Sequence, residues 1–507
     1  MKKIVMIPLD ERPCNYKYPT LLPKEDYEII LPSKDIMCKH KEGANFINLS
    51  RWLLESVKNA DAVIISLDTL IFGGLVPSRL HHFSFDELIH RLDIIKKIKE
   101  INPNILMLGF ELIMRCPSYS SDAEEPRYYA KYGKEIHRLG ELTHLEKLGK
   151  VTDKEKKELE SLKKFIDEDA LQDYLFRRNT NLDVLLRTLD LVKENYFDYF
   201  VVPQDDASVY GFTALDQIKV REVIKSNYLH DVVSMYPSAD DVGISLIGYA
   251  VSKLNNYKPK IYVKYSSPKA PLCIPWFEDR PQDETIKYQI LSVNGIRVQT
   301  ITEADIVLCV NMVEKMLDRD NPDFTRVYEI ERSLDEFIEY IKYAKSLGKV
   351  VAIADTAFCN GSDPELINAL KQNNLLLDVD VYAGWNTSSN TIGTTLGSAV
   401  TYYFGRDEES RIKFLLYRYF EDYGYMVYVR SDVTNNILPK YGLNYFDLKD
   451  KRETINKTVT EKVTQRIHND LPEIDKYTKT ISCDMPWNRM FETDITIEFK
   501  DGLKDED

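Results

Sequence analysis

Several things are missing from this sequence, and each absence closes off a class of protein. The seven cysteines (Cys14, Cys38, Cys116, Cys273, Cys309, Cys359 and Cys483) are scattered, odd in number and nowhere spaced as CxxC or CxxH. That excludes a disulfide scaffold and a structural zinc site, and it fits reduced thiols in a cytoplasm. No apolar run approaches the roughly 18 residues of a membrane span. The opening "MKKIVMIPLDERP" is basic, but its apolar stretch stops at Asp10 and Glu11, too soon for a secretory signal core. An excess of positive charge is lacking as well: 67 Lys and Arg stand against 81 Asp and Glu, and the net charge of −14 argues against nucleic acid as a partner. No GxSxG elbow or Walker A loop occurs, and the eight histidines sit mostly in charged helical stretches such as "HRLGELTH". A serine hydrolase, a P-loop enzyme and a histidine-rich zinc site are therefore disfavoured. The expectation is a cytoplasmic protein with a small-molecule partner, away from nucleic acid and membrane.

What is present is a long globular chain. The 507 residues are 44% hydrophobic and 29% charged, enough for two or more domains. Short β-branched runs recur at 3–10, 27–31, 62–68, 105–111, 199–206, 232–241, 260–265, 305–311, 350–355 and 378–386. They are continuous and apolar, as in parallel strands covered on both faces. Amphipathic stretches at 45–59, 84–101, 213–227, 241–254, 333–347 and 392–404 alternate with them, and this alternation predicts an α/β protein with mostly parallel sheets. The first domain, 1–258, is expected to be barrel-like or doubly wound, with a charged helical insertion at 123–195 in which Thr152 or Asp153 starts a helix. A second α/β domain would span 259–405, and a mainly helical extension 406–507, with "TDITIEFK" as a possible edge strand and "KDGLKDED" disordered. A single distorted (β/α)8 barrel is the alternative.

In parallel sheets, ligands bind beyond the carboxyl ends of the strands. Polar residues collect there: Asp10 and Arg12, Asp68 and Arg79, Glu111 and Arg115, Asp205 and Asp206, Asp240, and Trp385 with Asn386. One such residue by itself is better read as a cap or turn former. Five or more such loops together point to a cleft for a polar ligand. Asp205 and Asp206 are the sharpest feature, because two adjacent carboxylates cannot both ionise cheaply. One keeps its proton near neutral pH while the other stays charged, a division of labour that suits glycoside hydrolysis. The expected assignment is Asp205 and Asp206 as catalytic acids, with Asp10, Arg12, Asp68, Arg79, Glu111, Arg115, Asp240, Trp385 and Asn386 holding a small sugar. No cofactor is expected on this reading. Two alternatives use the same residues: a hydrolase in which the carboxylates bind Mg²⁺ or Mn²⁺, and a sugar-binding protein without turnover. "AGWNTSSNTIGTTLGSA" also opens a helix whose N–H groups could receive an anion, or else simply packs closely.

Two resemblances add to this. "PQDDA" and "YAGWN" resemble the paired-aspartate strand end and the aromatic–asparagine loop of O-GlcNAcase- and hyaluronidase-type glycosidases, over a few residues only. That likeness implies that Asp205 orients a substrate acetamido group and Asp206 is the proton donor. A wider one rests on "PLDERPCN", "SLDTLIFGGLVPSR", "PQDDASVYG", "PSADDVG", "YAGWNTSSNTIGTTLG" and "PWNRMFE". By these blocks the chain is identified as a member of bacterial domain-of-unknown-function family 4127, a resemblance that implies relatives without a reaction.

Overall fold

The computed structural model describes residues 1–22, 26–317 and 330–500; the terminus expected to be disordered begins at its limit and lies almost wholly outside it. Each apolar run of the sequence becomes a strand: β1 (Lys2–Ile7), β2 (Tyr27–Ile30), β3 (Ala62–Ser66), β4 (Leu106–Phe110), β5 (Tyr199–Gln204), β6 (Val233–Pro237), β7 (Lys260–Tyr265), β9 (Ile306–Asn311), β10 (Val350–Asp355) and β11 (Val381–Ala383). The two-residue β8 (Ile296–Arg297) joins them. The residues of β3, β4, β5 and β10 are buried throughout, which is why their sequences carry no polar alternation.

The strands form two open sheets. One has the order β2-β1-β3-β4-β5-β6, the other β11-β10-β9-β7-β8. The registers from β1 through β3, β4 and β5 to β6 are all parallel, as are those of the second sheet. Neither closes, so the single-barrel alternative is corrected: eleven strands divide between two doubly wound sheets. Both share one winding pattern, in which the chain's first strand in the sheet lies between its second and third. The order reverses at that strand, leaving a crevice at the carboxyl ends of β1 and β3 and another at those of β7 and β9.

The chain divides into two compact units. The first comprises Met1–Glu11, Glu28–Gly243 and Phe277–Arg280; the second comprises Arg12–Tyr27, Ile244–Trp276 and Pro281–Asp507. In the first, an apolar core of Val5, Ile7, Val63, Ile65, Met107, Phe200 and Val202 with helical Leu92, Ile95 and Leu189 covers the sheet. Helix Phe85–Ile101 starts where Ser84 accepts from the Glu87 N–H, with Asp86 and Glu87 in its first turn. The insertion between β4 and β5 is helical: Tyr129–Lys147, Asp153–Phe165 and Glu168–Lys193. Thr152 caps the second of these in a reciprocal capping box with Glu155. The three helices enclose their own core of Tyr129, Ile136, Leu139, Leu142 and Tyr174.

In the second unit, the helices Leu334–Ser346 and Pro364–Gln372 pack with β9 and β10 around Val307, Val351, Phe337 and Leu366. The C-terminal region is helical at first: Glu408–Arg418, a π-helical stretch Tyr419–Val429, and Arg452–Asp470. It ends in an antiparallel pair, β12 (Thr478–Asp484) with β13 (Asp494–Phe499). "TDITIEFK" is thus a strand of a separate antiparallel hairpin.

Candidate active site

The site is built at the carboxyl ends of the first sheet. β3 ends at Ser66, whose hydroxyl caps helix Leu67–Phe72, and that turn sets Asp68 inward. The helix must stop before Gly73, which takes φ 98°; a Cβ there would stand 3.0 Å from the Gly43 Cα, so only glycine suits both the left-handed turn and the close approach. Asp68 is buried and accepts from the Leu112 N–H at 3.0 Å. Burial pushes its carboxyl up to about 7 against that hydrogen bond and the Arg79 charge. Beyond β4, Glu111 is also buried, accepts from the Thr188 hydroxyl at 2.8 Å, and is pushed up by desolvation and by Asp68.

β5 ends at Gln204, held by Asp279 and Arg280. Asp205 and Asp206 follow immediately. Asp206 has φ 46°, in the left-handed region that a side chain enters at a cost. This turn offers the two carboxylates to two different guanidiniums. Arg79 Nη2 meets Asp205 Oδ2 at 2.7 Å, and Arg115 Nη1 meets Asp206 Oδ2 at 3.3 Å. The same arginines hold a second acidic pair. Arg79 Nη1 lies 2.9 Å from Glu124 Oε2 and 3.4 Å from Glu125 Oε1, while Arg115 reaches them at 3.1 and 2.8 Å. The Asp205 and Asp206 side chains keep 18% and 20% exposure, against 3% and 9% for Arg79 and Arg115. The acids therefore face a solvent-reachable edge and the cations lie behind them. Desolvation raises both aspartates, Asp205 to about 6 with a further push from Asp206; Arg115 and Arg79 act in the opposite sense. Titrating as a pair, they take up a proton at higher pH than an ordinary carboxylate does.

Of the residues expected from sequence, Asp68, Arg79, Glu111, Arg115, Asp205 and Asp206 belong to this one connected cluster of the first unit. Asp10 and Asp240 are buried at neighbouring strand ends of that unit. The adjacent Asp241 is hydrogen-bonded by Ser238 and raised by desolvation to about 7. Arg12, Trp385 and Asn386 belong to the second unit. There Arg12 pairs with Glu492 at 3.4 Å and lies over the Trp487 ring. Trp385 is buried, gives its indole N–H to Thr394 at 3.2 Å and meets Tyr18 edge-on. Asn386 has φ 54° and accepts the Asn360 N–H on its carbonyl. The helix that follows, Ser388–Gly405, is capped by Thr387, and its first turn is buried. Asp355, at the end of β10, accepts from the Asn311 side chain, the Asp363 N–H and the Tyr382 hydroxyl. Among the described residues no three His, Cys, Asp or Glu side chains converge as a metal site would require. The carboxylates of the cluster are paired with arginines. Sequence reasoning passed over Glu124 and Glu125. Their signal was available in "AEEPRYY", a second acidic doublet, but it lies in an irregular stretch beyond the strand end and was read as part of the helical insertion.

The fold and site together define a two-unit α/β protein with parallel, doubly wound sheets and an arginine-clamped carboxylate cluster at the carboxyl end of one sheet. The chain belongs to the family described as "Protein of unknown function (DUF4127)", whose model matches residues 4–496. No curated protein matches it. Among solved structures, Phytolacca americana UGT2 complexed with UDP-2fluoro-glucose and pterostilbene is similar at 11% identity, over 83% of this chain and 95% of that one. The TM-score is 0.17, too low to carry an argument about fold or reaction. Among the described residues no helix is long and apolar enough to cross a membrane.

Proposed function

We propose that the protein is a glycosidase-like hydrolase of a small sugar, N-acetylated sugars included, with Asp205 and Asp206 as its proton-handling pair. The supporting observation is that neighbouring carboxylates at the carboxyl end of a parallel strand are paired with two buried arginines, remain partly accessible, and have proton affinities raised by burial. Adjacent acids are too close to bracket a glycosidic bond from opposite sides. They suit a mode in which the protonated member delivers its proton to the leaving oxygen while the ionised member steadies the group attacking the anomeric carbon. In the resemblance to O-GlcNAcase-type enzymes the donor is Asp206 and the steadying group is Asp205. Arg79 and Arg115 then act by position: each holds its aspartate at a fixed rotamer and limits how far the pair's proton affinity climbs.

Chromogenic 4-nitrophenyl glycosides test the reading directly. Asp206→Asn is expected to lower kcat by about a hundredfold or more while the variant stays folded. Turnover by the wild type that this substitution leaves intact removes Asp206 from the chemistry.

A further inference from the structure

Helix Arg452–Asp470 buries Ile455, Val459, Val463 and Ile467, an apolar stripe at one-turn spacing that seats it on the core of the second unit. The face beside that stripe carries Lys462, Gln465, Arg466 and Asn469, spaced as i, i+3, i+4 and i+7. These four side chains form one wall of a cavity of about 310 Å³ within the second unit, a volume in the range of small-ligand pockets. Tyr428 and Val429, the last two residues of the π-helical stretch, line it as well, with Asp432 a turn further on. π-Helical turns are rare and concentrate at functional sites.

The helical wall is rich in hydrogen-bond donors. The Arg466 guanidinium lies over the Tyr428 ring, 3.4 Å from its centroid, and Nε pairs with Asp470 at 3.1 Å. Those two contacts hold the guanidinium in place, yet neither Nη has a partner among the described residues. The side-chain amides of Gln465 and Asn469 have none either. Lys462 meets Asp432 at 2.7 Å, which leaves it two of its three N–H bonds. The nearby acids are committed elsewhere too: Asp470 accepts the Tyr423 hydroxyl at 2.9 Å, and Asp432 accepts the Asn436 amide at 2.8 Å. A guanidinium held in this way, with both N–H₂ groups vacant, matches a planar pair of acceptor oxygens.

We infer that this cavity binds a small organic oxyanion, a carboxylate or a phosphate ester, gripped by the Arg466 fork while Lys462, Gln465 and Asn469 donate around it. A neutral polyol would bring O–H donors of its own to a wall that already has them in excess, and a cation would meet Lys462 and Arg466. Binding here requires nothing of the proposed hydrolase.

Calorimetric titration of the full-length protein with sodium phosphate and with sodium succinate provides the test. At least one of the two is expected to bind at millimolar concentration or below, more weakly as sodium chloride is raised; the tighter one tells a phosphate ester from a carboxylate. Arg466→Gln should weaken that binding by roughly tenfold to a hundredfold. Arg466→Lys, which keeps the charge and loses the fork, should recover only part of it. Asn469→Ala, at an exposed position, should weaken it severalfold and leave the fold intact. If Arg466→Gln proves unfolded by circular dichroism, Asn469→Ala decides. No binding of either anion at millimolar concentration, or an affinity that the deciding variant leaves unchanged, overturns the site.

Discussion

Replacing Asp68 by asparagine isolates one buried carboxyl whose protonation is tied to folding. Asp68 is 3% exposed, and its acceptor bond from the Leu112 N–H survives in an asparagine. Burial raises its pKa from the ordinary 3.8 to about 7. Between those values the folded chain keeps the proton while the unfolded chain has lost it. Wild-type stability therefore includes a contribution that is fully present below about pH 4, declines as pH rises, and is gone above about pH 7. Roughly three pKa units at about 1.4 kcal/mol each give about 4 kcal/mol. Asp68→Asn cannot titrate, so its unfolding free energy relative to wild type should improve by about 4 kcal/mol between about pH 4 and about pH 8. Urea unfolding followed by circular dichroism, run on both proteins in parallel, reads this difference, and carboxylates common to the two cancel. A gap between the curves that stays constant across that range would show that Asp68 remains ionised in the folded protein, and the argument from desolvation would be refuted.

Two further perturbations probe packing and charge. Arg115→Met leaves Asp206, Glu124 and Glu125 without the guanidinium now 2.8–3.3 Å away; it should lower stability at neutral pH by about 3–5 kcal/mol, and an unchanged urea midpoint would mean that the cluster does not need its cation. Gly397→Ala places a Cβ 2.5 Å from the Ile244 carbonyl oxygen of helix Val242–Leu254, a backbone clash expected to cost about 1–3 kcal/mol, seen as a lowered Tm.

Much of the fold was legible because a strand buried on both faces must be apolar along its whole length. All ten runs identified in the sequence are strands. The elements that escaped notice did so for physical reasons. β8 has only two residues, too few to show a period. Helix Gln282–Ser292 buries Gln282, Thr285 and Gln289 beside Ile286 and Ile290, so polar residues dilute its apolar face. β12, the partner of the strand expected in "TDITIEFK", is largely exposed and carries no continuous apolar run. Within the site, Asp205, Asp206, Asp68 and Glu111 could be found by reading just past each strand. Glu124 and Glu125 are visible as a doublet, but no local pattern connects residues of the insertion to the end of β5.

The sequence by itself determined the parallel α/β class, the strand positions and the acidic strand ends, since these follow from burial and backbone geometry within a few neighbouring residues. Only the tertiary structure decided that the strands divide into two open sheets, and that Arg79 and Arg115 bridge an aspartate pair and a glutamate pair some eighty residues apart. It also placed Arg12, Trp385 and Asn386 in the other unit. Ion pairing depends on distances in space, and those are set only once the crossovers have brought remote loops to the same edge of a sheet.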